Sequence, residues 1–312
     1  MQPYWFYHQH LDRVSRSFSF CILELSEDTK RWVALSYLLF RVLDTIEDAC
    51  WMNAEDQLVT FKQFQEFLSA SNHWEEGDIQ HWLKRFPDTI LPSEQLLLAD
   101  LSLLLTDLET LPSAIQEKLI YVLMEMMEGM IYFIQHHKSN GQLRLISLDE
   151  TNRYCYVVAG IVGHLLTDIF TYTILDFSYS ELLIYQSTHF GIFLQKINLL
   201  KDQREDHLAG RFFISSYFEV RDSLMYHARV AMDYLNAIPI VAGRSYRLFC
   251  AWSLFIGLAS LKWIDKNVRD NQQYKISYRE TNALVSKIRR IIDDSYALEK
   301  LFNDYTHSNR RS

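Results

Sequence analysis

In 312 residues there are nine glycines and five prolines, and the only proline after Pro112 is Pro239. A chain so poor in turn formers has little means of building a many-stranded sheet, whose hairpins need Gly, Asn-Gly or Pro at fixed places. Long helices are the alternative, and the apolar spacing supports them. From Ser26 onward, Val33, Leu35, Leu38, Leu39, Val42, Leu43 and Ile46 recur at three- and four-residue steps, which predicts a helix starting near Asp28 and running through RWVALSYLLFRVLDTIEDA. Further helical stretches are expected at about 56–70, 93–111, 114–137, 149–175, 180–207, 216–236, 242–265 and 276–304. No alternating stretch ends in a hairpin signal, and 71–92 is the most loop-like segment. The expectation is a single all-α domain over 1–312, of nine to eleven helices.

Composition narrows the function. About half the residues are apolar and 14% are aromatic, enough for a large core and a greasy cavity. The net charge of −8 comes from interspersed signs, which excludes the clustered basic face of a nucleic-acid binder. Cys21, Cys50, Cys155 and Cys250 form no CxxC pair and are read as buried thiols in a reducing cytoplasm. The N-terminus lacks the order of a signal peptide. The longest apolar run, Leu248 to Leu261, falls short of the ~20 residues of a spanning helix. No transmembrane segment is expected.

Two constellations carry chemistry. In Asp44-Thr45-Ile46-Glu47-Asp48 the aspartates are four apart, so a helix sets both carboxylates on one face. Such a pair repels itself unless a cation intervenes, and the apolar surroundings make a purely solvated face a poor explanation. Arg41 and Tyr37 lie on the same side. The second is Asn198-Leu-Leu-Lys201-Asp202-Gln203-Arg204-Glu205-Asp206, followed by Gly210-Arg211. There Gln195, Asn198, Asp202 and Asp206 form an oxygen-rich stripe, the donor type that hard divalent cations prefer. Two such helices facing each other would make a magnesium cage that a diphosphate could complete, with Arg16, Arg41, Lys201 and Arg211 neutralising the rest. A third stretch, Tyr154-Cys-Tyr-Val-Val-Ala-Gly160-Ile-Val-Gly163, places two glycines in a helix at a cost of ~1 kcal/mol each. Close helix packing or a bend beside a cavity would each account for them. Tyr154 could there donate to a diphosphate or move a proton.

Together these stretches resemble the squalene and phytoene synthase family. VSRSF at 14–18, YLLFRVLDTIED at 37–48, YCYVVAGIVG at 154–163 and GIFLQKINLLKDQREDHLAGRFF at 191–213 are similar to its signatures and stand in family order, across about residues 10–280. The resemblance implies an isoprenoid-synthase-type helical bundle around a central cavity. It implies magnesium on Asp44, Asp48, Asn198, Asp202 and Asp206, and diphosphates among Ser15, Arg16, Ser17, Tyr37, Arg41, Lys201 and Arg211. Tyr154 and the four aspartates are the implied catalytic groups. Lys201, Gln203 and Ser215 depart from the usual pattern.

The implied reaction joins two farnesyl diphosphates, or longer prenyl diphosphates, head to head. Phe249-Cys-Ala-Trp-Ser-Leu-Phe-Ile-Gly-Leu-Ala-Ser-Leu261 resembles the squalene-synthase form of a late helix, and Lys275 and Arg279 fall in a segment similar to the one given to NADPH. Bacterial-type squalene synthase is the favoured likeness. Dehydrosqualene or phytoene synthase is the alternative, followed by a non-catalytic assembly factor that kept the fold. No zinc set accompanies the eleven histidines, His136-His137 reads as an exposed helix end, and Met124, Met126, Met127 and Met130 read as core filling. A cytoplasmic monomer, touching the inner membrane face peripherally because its products are long hydrocarbons, completes the expectation.

Overall fold

The computed structural model of the chain describes residues 1–69, 74–139 and 141–308, the side chains of Arg16, Ser17 and Ser308 excepted. Its residues form two compact units, Met1–Arg144 and Leu145–Ser312.

The first unit holds α1 (Tyr4–Val14), α2 (Arg16–Ile22), α3 (Glu27–Asp48), α4 (Ala54–Leu68), α5 (Glu76–Leu83), α6 (Pro92–Ala99), α7 (Leu101–Leu108) and α8 (Ser113–His137). The apolar stripe seen in the sequence makes α3 its central helix. Leu35, Leu38, Leu39, Val42, Leu43 and Ile46 are all fully buried, and α1, α4, α6, α7 and α8 each pack on α3. Met126, Met127 and Met130 of α8 lie in the core as expected, whereas Met124 is only half-buried. The unit closes with a short antiparallel hairpin, β1 (Lys138–Ser139) and β2 (Gln142–Arg144), with Lys138 opposite Leu143.

The second unit contains α9 (Leu148–Cys155), a π-helical turn (Tyr156–Gly160), α10 (Ile161–Thr173), α11 (Glu181–Leu208), a two-residue strand β3 (Arg211–Phe212), α12 (Tyr217–Ala237), α13 (Arg244–Asp270), α14 (Tyr278–Ile291) and α15 (Ser295–Ser308). Here α11 is the axis, packed by α10, α12, α13 and the π turn. Its core includes Phe193, Tyr234, Tyr246 and Trp252.

The all-α class holds, with corrections. Fifteen α-helices stand among the described residues rather than nine to eleven, because local contacts break expected long stretches. The run at 93–111 divides at Asp100, whose carboxylate takes a bond from His10 Nε2 at 2.9 Å. Within the segment read as loop, α5 forms because Asp78 accepts from the Glu75 N–H at 2.8 Å and Ile79 and Trp82 are buried. The hairpin was signalled by Asn140-Gly141, a dipeptide suited to a tight turn, with Gly141 at φ +77°. Cys50 is exposed, unlike the other three thiols, and all four are free.

Leu148–Thr173 and Arg244–Asp270 are each long and apolar enough to cross a membrane by composition. The windows are 44% and 67% buried inside the protein, so the second is mostly enclosed and the first is not.

Candidate functional site

Asp44 and Asp48 occupy the last turn of α3. A helix C-terminus carries partial negative charge from its unpaired carbonyls, so two carboxylates there are disfavoured twice, by the dipole and by each other. The turn is nevertheless held in place. Trp51 Nε1 donates to the Ile46 carbonyl at 2.7 Å, and Gln57 Nε2 donates to the carbonyls of Ile46 and Glu47, both at 2.9 Å. Asp44 keeps 38% of its side chain open while Asp48 is exposed. Burial lifts the Asp44 carboxyl to about 6; Arg41 opposes the rise and Asp48 adds to it.

Around this pair the first unit gathers three of the expected substrate residues. Arg41 lies 3.5 Å from Asp44. The Tyr37 hydroxyl is bonded to Ser15, and its pKa is raised mainly by burial. Ser15 itself stands at the break between α1 and α2. The Arg16 and Ser17 side chains lie outside the described residues. One partner had no signal in local spacing: Glu94, buried in the first turn of α6, accepts from Arg41 at 2.6 Å.

The second pair sits at the corresponding place on α11, in its last two turns before Leu208. Asp202 is half-exposed, and Lys201 Nζ lies 3.1 Å from it and donates to Asn198 Oδ1 at 3.3 Å. Asp206 is more enclosed. Gly210 takes φ +75°, a left-handed turn that glycine makes without strain, and the chain reverses so that Arg211 donates to Asp206 Oδ1 from Nε at 3.2 Å and Nη2 at 3.0 Å. Asn198, Lys201 and Asp202 thus form one group, Asp206 and Arg211 another.

Tyr154 is buried at the end of α9 and stacks on Phe213 at 4.5 Å. Immediately after it the backbone enters the π turn, a device often found at functional sites. Both glycines of this stretch touch α11: a Cβ at Gly163 would overlap the Ser187 carbonyl, and one at Gly160 would crowd Tyr156 and Thr188. Close packing and a local distortion therefore coexist there. A further buried group escaped the sequence. Lys196 is fully enclosed, donates to Ser223 Oγ at 2.6 Å, and is lowered to about 8 by burial. His227 beside it falls to about 3 from burial first and then the Lys196 charge, and its Nδ1 lies 2.6 Å from His189 Nδ1. Lys275 and Arg279 are exposed around the start of α14, and neither forms an ion pair among the described residues.

Among the described residues no three His, Cys, Asp or Glu side chains gather as a metal set. The donors fit magnesium in a different way. Magnesium takes one or two carboxylates and leaves the remaining positions to waters and substrate phosphates. Each helix end offers two carboxylates at an electrostatically costly place, and a divalent cation would relieve that cost. The two exposed cations flanking Ser277, Lys275 and Arg279, form no enclosed cradle.

The sequence profile of the squalene/phytoene synthase family matches residues 11–216. The squalene synthase of Schizosaccharomyces pombe is 28% identical over 209 residues, covering 66% of this chain and 43% of that protein. The Saccharomyces cerevisiae squalene synthase is 31% identical over 209 residues, covering 65% and 43%. The matched segment thus spans under half the length of these relatives. A solved structure of TcSQS in complex with BPH1237 superposes with TM-score 0.79 at 22% identity, covering 97% of this chain and 90% of that one. A dehydrosqualene synthase in complex with a ligand gives 0.62 at 15%, covering 92% and 95%. Those two likenesses concern the fold.

Proposed function

The chain belongs to the squalene/phytoene synthase family, and from that premise we infer that it is a prenyltransferase joining two farnesyl diphosphates head to head, through presqualene diphosphate, to squalene. The observation that carries this reading is the pair of aspartate couples, each at the C-terminal end of a helix and each with a basic neighbour.

In this reading Asp44, Asp48, Asn198, Asp202 and Asp206 hold magnesium, which when bound draws off the charge of the departing diphosphate. Arg41, Lys201 and Arg211 add positive charge to the same task, and Tyr37 and Ser15 orient the phosphates by hydrogen bonds. Ionisation of one farnesyl diphosphate gives an allylic cation. The second chain attacks it, and loss of a proton closes the cyclopropane ring; Tyr154, buried at the end of α9, is the residue proposed to take part in moving that proton. Departure of the second diphosphate and rearrangement leave a second cation, for which NADPH, were it bound, would supply the hydride. Lys275 and Arg279 are the proposed contacts for its phosphates. Squalene is scarcely soluble in water, so the proposal extends to a monomer that meets a membrane face peripherally, which liposome flotation checks.

Product analysis with magnesium and farnesyl or geranylgeranyl diphosphate, with and without NADPH, tests the reading. Squalene formed only with NADPH and farnesyl diphosphate is the expected result. Dehydrosqualene or phytoene irrespective of NADPH would move the protein to the other branch of the family. No diphosphate release under any condition would sink catalysis altogether.

A further inference from the structure

Arg41 and Asp44 are three apart on one helix face, where a guanidinium could fork onto the carboxylate with two short bonds, the strongest arrangement open to the pair. That arrangement is not taken. Arg41 Nη1 stops 3.5 Å from Asp44 Oδ2, longer than a good charge-assisted hydrogen bond. Its Nη2 donates instead to Glu94 Oε1 at 2.6 Å, and its Nε is buried without an acceptor. The guanidinium is therefore aimed by Glu94, fifty-three residues away in the chain.

Glu94 is built for this. It is 7% exposed and lies in the first turn of α6, where the helix dipole favours a carboxylate. Its second oxygen accepts from the Leu91 N–H at 3.3 Å, so the side chain is tied at both oxygens. Pro92 starts the helix, and its ring fixes the backbone just ahead of Glu94.

We propose that Glu94 is a positioning residue that holds Arg41 off Asp44, keeping the Asp44 carboxylate open to a divalent cation. The proposal rests on the magnesium reading of Asp44 given above. Without the Glu94 charge, Arg41 closes on Asp44 and competes with the metal for its oxygens. The charge of Arg41 is then spent on the ligand it should stand beside.

The test is magnesium binding to the whole protein, followed by thermal melting as magnesium is titrated, alone and with inorganic pyrophosphate. In Glu94→Gln the midpoint of the magnesium response is expected to move up about tenfold, the factor that one pKa unit of competition represents. Glu94→Asp falls between. Adding Arg41→Met to Glu94→Gln restores the midpoint towards that of the unaltered protein, which a loss of helix capping alone would not do. An unchanged midpoint in Glu94→Gln, or a double variant as weak as the single one, overturns the proposal. If Glu94→Gln does not fold, the same comparison is made with Glu94→Asp and its Arg41→Met partner. Because the readout is metal binding, it stands apart from product formation. A protein that binds magnesium in this Glu94-dependent way but makes no hydrocarbon refutes the proposed reaction and leaves the positioning role standing.

Discussion

Asp44 is pulled in opposite directions by what surrounds it. Burial and the Asp48 charge favour its protonated form, Arg41 favours the carboxylate, and the balance lies near 6. An acid raised in the folded state above its ordinary value near 4 contributes stability that is complete below about pH 4 and is lost as the pH climbs through 6. Without metal, the melting temperature of the protein minus that of Asp44→Asn should therefore fall between pH 4 and 7 and then level. The open part of the side chain is screened by water, so a difference of a few °C at most is expected. Parallel curves for the two proteins would refute it. The carboxylate pairs themselves were legible because a four-residue spacing on a helix is a local property. Glu94 was not, because an acid in the first turn of a helix is ordinary, and its meaning comes from Arg41 at a distance in sequence. Lys196 was hidden for a similar reason: in its own helix it is one more lysine, and only the packing of α12 over it, with Ser223 as acceptor, shows it buried.

The elements carry two further expectations. Gly163 and Gly191 bring the π turn and α10 against α11 so closely that a Cβ at either would overlap a backbone carbonyl, of Ser187 and of Ala159 respectively. Backbone cannot rotate away as a side chain can, so the helices must part. Gly163→Ala should cost about 1–3 kcal/mol or more in chemical denaturation, whereas Gly77→Ala in α5, with nothing within 4 Å of the new methyl, should be neutral or gain up to ~1 kcal/mol. Equal effects at the two sites would refute this account of the α10–α11 contact. Arg247 is the other case. It is fully buried, and it ties the end of α12 to the end of α14: Nη1 donates to the carbonyls of Leu235 at 2.8 Å and Ile238 at 2.9 Å, while Nε and Nη2 donate to the carbonyl of Ile292, the residue that caps α14, at 3.3 Å. Arg247→Leu strands these acceptors, each costing about 1–3 kcal/mol when left unpaired. The expected result is loss of a sharp thermal transition or a fall of several kcal/mol, and a change within 1 kcal/mol would refute the clamp. In the sequence Arg247 only marked the edge of an apolar run. The helices were legible from their period, but their breaks at Asp100, at the π turn and at Ile292 were not, since each depends on contacts that periodicity does not encode.

For the molecule as a whole, the aspartate couples link ligand binding to global stability. A ligand that binds only the folded state adds RT ln(1 + [L]/Kd), about 2.7 kcal/mol at a hundredfold excess over Kd. Magnesium with pyrophosphate should therefore raise the melting temperature by several °C in the unaltered protein. Both couples are proposed ligands, yet they start from different states. Asp202 is half-exposed beside Lys201, while Asp206 already carries the Arg211 guanidinium. Asp44→Asn and Asp202→Asn should each remove most of the rise, since each deletes an open carboxylate. Asp206→Asn has a second consequence, because it also releases Arg211, whose freed charge attracts pyrophosphate. Its loss should accordingly be smaller with pyrophosphate than with magnesium alone. If the double Asp44→Asn, Asp202→Asn variant keeps the full rise, the ions bind elsewhere and the helix-end carboxylates are not their site.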